Sequence, residues 1–200
     1  NDMAKGKANT DSLRNYIKNE LNRFPENTIP MNFTSNHDEN SWNGTEFERL
    51  GAQAGQMAAL TFILPGMPLI YNGQESGFNR RLQFFEKDSI DWQPESSFNL
   101  LYKSLCALKK ANPALNSPLM SKMSELITDK PDKVFALKYS IDNNTLIAIF
   151  NFSGEALSVS VSDEIKEGMY EEFMTNISKE IKKETIFELT PFGYRIFYKN

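Results

Sequence analysis

The stretch Phe33-Thr34-Ser35-Asn36-His37-Asp38-Glu39-Asn40 decides the reading of this chain, because a hydrophobic strand runs out there and a dense set of hydrogen-bonding side chains begins. Upstream, Ile29, Met31 and Phe33 alternate as strand residues do, so residues 28–33 read as a strand. Downstream, Thr45 opens a long amphipathic pattern, which places the polar run on a strand-to-helix loop. In α/β barrels the loops at that end of the strands carry the chemistry.

Working outward, Leu13, Ile17, Leu21 and Phe24 recur at helical spacing and Pro25 ends the run. Thr45-x-x-Glu48 forms a capping box, in which hydroxyl and carboxylate satisfy orphan amides at a helix start. Phe47, Leu50, Ala54, Met57, Thr61 and Leu64 then predict one buried face of a helix that ends at Pro65-Gly66. A second strand follows over 67–71, and its end is again polar: Asn72-Gly73-Gln74-Glu75. Strand, helix, strand with short connections is a βαβ unit with parallel strands. Residues 77–95 show no clean period and read as an irregular excursion, after which Phe98, Leu101, Leu105 and Leu108 give a further helix, closed before Pro113. From about Asn116 the pattern changes to short alternating runs at 134–139, 146–150, 157–161, 186–189 and 194–198. Asp142-Asn143-Asn144 suits a tight hairpin turn between the first two. This part reads as an antiparallel β-sandwich whose core includes Phe150, Phe152, Phe192 and Phe197.

Composition sets outer bounds. Two hundred residues with 22 Lys+Arg against 26 Asp+Glu make an ordinary globular chain of formal charge −4. No basic cluster suits phosphate backbones, so nucleic acid is not an expected partner. The longest apolar stretch, 57–70, is broken by Thr61, Pro65, Gly66 and Pro68, which argues against a membrane span. The single Cys106 excludes an internal disulfide, and its place in an apolar helical pattern predicts an inert core thiol. With one histidine and no ligand spacing around it, no metal site is expected.

Phe33-x-x-Asn36-His37-Asp38 resembles the last of the short signature motifs of the α-amylase superfamily of glycoside hydrolases and transglycosylases. Gly66-x-Pro68-x-Ile70-Tyr71-x-Gly73-x-Glu75, next in order, resembles the eighth barrel strand of α-amylases and its exit loop. The resemblance implies an α/β portion followed by an all-β one. Residues 1–112 would be the last strands and helices of a (β/α)8 barrel, and 113–200 the β-sandwich that follows it. The pattern agrees from its own side: two parallel strands need cover on both faces and leave open edges, so the first part reads as incomplete. A small complete α+β domain is the alternative.

Carried over by position, Asp38 would be an ionised carboxylate that stabilises the oxocarbenium-like transition state, and His37 would bind hydroxyls of the sugar whose bond is cut. Hydrogen bonds to sugar hydroxyls that tighten at the transition state lower the barrier, and a carboxylate near developing positive charge adds to them. Asn36 would orient the loop and Phe33 anchor the strand, while Gln74 and Glu75 are read as supports at the end of the second strand. Trp42 sits in the loop directly after Asp38, four positions on, and has a ring suited to stacking on a sugar or to burial under the barrel mouth. Arg80 and Arg81 are set to pair with the acidic loop.

A retaining glycosidase needs a carboxylate nucleophile and a general acid a few ångströms apart. Glu39, Glu46 and Glu75 are carboxylates near the loop, but none occupies the family's nucleophile or acid position, so this chain alone is expected to be inactive. The resemblance implies an α-glucan or malto-oligosaccharide as substrate and the remainder of its own barrel as partner. No cofactor is expected within the chain, with calcium a family feature usually held by earlier parts of the barrel, and export (periplasmic, surface or extracellular) is the family expectation. Rival readings are a transglycosylase or isomerase of sucrose-like sugars on the same barrel, a non-catalytic homologue serving as a binding subunit, and a carbohydrate-binding module within 116–200.

Overall fold

The computed structural model describes residues 1–25, 28–116, 123–162, 165–175 and 177–199, without the side chain of Leu21. Helix α1 (Thr10–Arg23) starts at Asn9, whose side chain accepts from the Ser12 amide at 3.0 Å while the Ser12 hydroxyl accepts from the Asn9 amide. Leu13 and Ile17 are buried as their spacing predicts, whereas Phe24 lies past the last helical turn and is exposed.

Strand β1 (Met31–Asn32) runs parallel to β2 (Met67–Pro68), with Met31 opposite Met67 and Asn32 opposite Pro68. Both are shorter than the predicted 28–33 and 67–71. Each has only the other as hydrogen-bonding neighbour among the described residues, and an isolated pair holds little ladder. Gly66 lets the chain enter β2 at φ +132°; a Cβ there would stand 2.4 Å from the Pro30 carbonyl oxygen.

The single helix expected between the strands is three pieces: α2 (Glu46–Leu50), a 3₁₀ turn (Gly51–Gln53) and α3 (Ala54–Ile63). Gly51, at φ +54°, ends α2, a break that hydrophobic spacing does not report. The buried face differs in part. Leu50, Ala54 and Leu64 are buried as expected, together with Ala58, Ala59, Phe62 and Ile63, while Phe47 is half-buried and Met57 and Thr61 border a cleft. α3 is apolar on nearly every side, so its neighbours select the face: α4 (Ser97–Ala111) and the β domain cover one side. On α4, Leu101, Leu105 and Leu108 are buried as expected. Cys106 is exposed, correcting the core-thiol expectation, because it falls about 100° around the helix from Leu105.

After α5 (Pro113–Asn116) come β3 (Met123–Leu126), β4 (Val134–Ile141), β5 (Asn144–Asn151), β6 (Leu157–Val159), β7 (Gly168–Glu172), β8 (Ile177–Ile181), β9 (Phe187–Leu189) and β10 (Tyr194–Lys199). They form an antiparallel sheet in the order β3-β4-β5-β10-β7-β8, faced by the pair β6-β9. The β4–β5 turn has its positive φ at Asp142, +53°. β5 is buried along almost its whole length because both its faces are covered. Leu146, Ala148 and Phe150 pack on the helices, and Ile147 and Ile149 on β6 and β9. Phe150 and Phe197 are core as expected, whereas Phe152 and Phe192 are half-buried.

Polar bonds stitch the helices to the sheet. Tyr139 Oη donates to the Ile63 carbonyl at 2.8 Å, Gln56 Nε2 to the Asn151 carbonyl at 2.7 Å, and Arg14 Nη1 to the Pro131 carbonyl at 2.9 Å. No helix among the described residues is long and apolar enough to cross a membrane.

Candidate functional site

The loop after β1 is held from beneath by Arg49, which hydrophobic spacing gave no reason to single out. Its buried guanidinium donates to the Thr34 carbonyl at 2.7 Å and the Gly44 carbonyl at 2.8 Å, and lies 3.4 Å from the Glu39 carboxylate. One side chain thus ties both ends of the loop to α2. The capping box of α2 is present, with Glu48 Nα donating to Thr45 Oγ1 at 3.1 Å.

Within that frame, Asn36 Oδ1 accepts from the Glu39 amide at 2.8 Å and closes a short π-helical turn (Glu39–Asn43). Asn36 therefore does the local capping. The carboxylate of Asp38, at the cap position of the same turn, makes no capping bond. His37 and Asp38 stand side by side on the rim, Nε2 to Oδ2 at 3.7 Å, with side chains 66% and 60% exposed. Their groups face solvent and are open to a ligand.

The end of β2 is joined to this loop by Gln74. Its buried amide Nε2 donates to Thr34 Oγ1 at 2.7 Å, to the Glu46 carboxylate and to Tyr102 Oη at 3.1 Å, and its Oε1 accepts from the Tyr71 amide at 2.7 Å. Glu46 is buried, and desolvation raises its carboxyl above the usual range against the opposing pull of Gln74, Thr34 and Arg49. Glu75 Oε2 accepts from the Gly73 amide at 3.0 Å and shapes its own turn. Of the three nearby carboxylates, Glu39 is thus paired with Arg49, Glu46 is buried and Glu75 is engaged with backbone.

Phe33, expected to anchor the strand, is 39% exposed and borders a cleft of about 340 Å³ with Tyr16, Met31, Met57, Thr61 and Leu64; neither His37 nor Asp38 lines it. Trp42 is exposed on the rim, its ring 5.2 Å from Phe84 and 6.2 Å from Phe85, and Phe84 lies 5.7 Å from His37. Phe84 and Phe85 belong to the irregular 77–95 stretch, where no periodicity directed attention to them. Arg81 pairs with Glu48 at 2.9 Å, while Arg80 pairs with Asp88 of its own loop at 2.7 Å. Among the described residues no three His, Cys, Asp or Glu side chains are placed to hold a metal ion.

No protein-family model matches the chain. It is 28% identical over 141 residues, 69% of its length, to the alpha-amylase MalA of Haloarcula japonica, of which it spans 20%. In fold it superposes on the noncanonic maltogenic alpha-amylase AmyB of Thermotoga neapolitana with a TM-score of 0.81 at 18% identity, over 99% of this chain and 48% of that one. On CldA, a cyclomaltodextrin glucanotransferase, the TM-score is 0.77 at 16% identity, over 98% of this chain and 42% of that one. The fold, a parallel pair with its helices followed by an antiparallel sheet faced by a second pair of strands, is thus shared with part of an enzyme named as an alpha-amylase and part of one named as a cyclomaltodextrin glucanotransferase. The chain spans about a fifth of the curated relative and under half of these two solved structures.

Proposed function

We propose that this chain is the C-terminal part of a longer α-amylase-type glycoside hydrolase that cleaves α-glucosidic bonds in starch-like or malto-oligosaccharide substrates by a retaining mechanism. The observation that carries the reading is the exposed His37-Asp38 pair on the rim loop, beside Trp42, in a frame built to hold that loop still. In this reading the Asp38 carboxylate faces the positive charge that develops on the anomeric carbon and ring oxygen, while His37 donates to sugar hydroxyls. Asn36, Gln74 and Glu75 fix the two loops through the bonds described, so the donors meet the sugar without reorganising. The nucleophile and general acid belong to the remainder of the barrel, and the 200-residue chain alone is inactive.

The test is reducing-sugar release from starch and maltoheptaose by the full-length parent, wild type beside Asp38→Asn, with the present chain as control. The expected result is an active parent, a loss of roughly a hundredfold or more in Asp38→Asn, and an inert short chain. Full activity in Asp38→Asn would overturn the site assignment. The fold shared with a cyclomaltodextrin glucanotransferase supports a second reading, glycosyl transfer on the same site, which chromatography separates by the appearance of longer or cyclic products.

A further inference from the structure

Trp42, Phe84 and Phe85 form an exposed aromatic ridge that begins at His37, and the loops that carry it are locked together. Phe84 and Phe85 lie with ring centroids 4.8 Å apart at an interplanar angle of 75°, and Trp42 meets Phe84 at 44°. Phe85 is 82% exposed and Trp42 58%. Large apolar rings in contact with one another on a surface mark a binding site more often than chance exposure does.

The ridge is also preorganised. Asn40 Oδ1 accepts from the Leu82 amide at 2.7 Å, and Ser41 Oγ donates to the Leu82 carbonyl at 2.8 Å, so the Trp42 turn and the Phe84 loop move as one. Asp88 closes the loop behind the rings: its carboxylate takes both Arg80 Nη1 at 2.8 Å and Nη2 at 2.7 Å, and accepts from the Gln83 amide at 2.9 Å.

We infer that the Trp42-Phe84-Phe85 ridge is a stacking platform for the sugar rings of an α-glucan beyond those held by His37 and Asp38, and that it gives the site a preference for longer chains. The inference rests on the glucan reading above and adds to it the residues that select chain length. Trp42 and Phe85, the two most exposed rings, would each stack on the C–H surface of one hexose, with Phe84 packed between them. Because the rings are tilted to one another, the ridge suits a coiled α-linked chain, whose successive sugars turn, and not a flat β-linked one. Binding on a platform already in place loses little conformational entropy.

The experiment compares kcat/KM for maltoheptaose and maltotriose in the full-length parent, wild type against Phe85→Ala, Phe85→Leu and Phe85→Tyr, with the thermal midpoint of each. The ratio of the two kcat/KM values should fall roughly 3- to 10-fold in Phe85→Ala and Phe85→Leu and hold in Phe85→Tyr. An unmoved ratio in Phe85→Ala overturns the inference alone, and an accompanying drop in midpoint shows the ring packed under another segment. A ratio preserved by Phe85→Leu also overturns it, since stacking needs the ring. A parent that cleaves neither sugar overturns the glucan reading, and this inference with it.

Discussion

At the scale of single residues, two positions carry more than their sequence context suggests. Glu46 is a carboxyl placed where only an acceptor is wanted, receiving Gln74 Nε2 and Thr34 Oγ1 at one oxygen while the other is buried without a hydrogen-bond partner among the described residues. Its raised pKa has a defined sign: the contribution to stability is full below the unfolded carboxylate value and is lost as pH rises through the folded one. Glu46→Gln keeps the acceptor and removes the charge. Urea unfolding of the full-length parent should therefore show the variant gaining on wild type as pH rises above the ordinary carboxylate range, whereas Glu46→Leu, which strands both donors, should lose about 1 to 3 kcal/mol throughout. Parallel pH curves for Glu46→Gln and wild type would mean that the carboxyl is not buried as described. Gly66 is the second position. Gly66→Ala should cost about 2 kcal/mol or more by the same measurement, because the new Cβ meets the Pro30 carbonyl oxygen and the Asn32 side chain at a left-handed φ. Of the candidate site, His37, Asp38 and Asn36 were legible because they lie in one short run. Arg49 and Phe84 were not, and Glu46 was read only as a carboxylate near the loop, since each acts through partners brought near by folding alone.

Elements differ in how much of themselves they show in sequence. β4, β5 and α4 were legible because their apolar residues keep the period of the structure they adopt. β3, β7 and β8 escaped notice: Met123-Ser124-Glu125-Leu126, Gly168-Met169-Tyr170-Glu171-Glu172 and Ile177-Ser178-Lys179-Glu180-Ile181 lie at or near the sheet edges, where charged side chains are wanted and alternation is weak. The rim loops have no period at all, and side-chain bonds hold them. Asn40 is the test of that statement, since its buried amide also donates to the Arg80 carbonyl at 3.3 Å. Asn40→Ala should leave the elements intact and loosen the loop beside Arg80, Arg81 and Lys87. Limited trypsin digestion of the parent should then cut there roughly 5- to 30-fold faster, as expected for a local opening made easier by one or two hydrogen bonds. Equal cutting rates would show that Asn40 does not hold the ridge in place.

For the whole molecule, the distribution of exposed apolar side chains bears directly on whether these residues stand alone. The antiparallel sheet is covered on both faces, and its core is continuous with that of the helices. The parallel pair is not so covered. Ile29, Met31 and Met67 are each at least half exposed, Phe33 is 39% exposed, and all four lie on or beside strands whose only strand partners among the described residues are each other. Burying each such side chain is worth about 1.5 to 3 kcal/mol, so together they form an edge that gains strongly from any apolar cover. If that cover is the rest of the barrel, one pair of substitutions acts in opposite directions in two contexts. In the isolated 200-residue chain, Met31→Lys with Met67→Lys should suppress self-association, read as a shift from scattering aggregates toward a monomer in sedimentation. In the full-length parent the same pair should place two charges in a closed interior and lower the yield of folded enzyme several-fold. A wild-type chain that is monomeric at about 100 μM, together with a parent indifferent to the lysines, would instead identify residues 1–112 as a complete α+β domain whose strand edge lies in water by design.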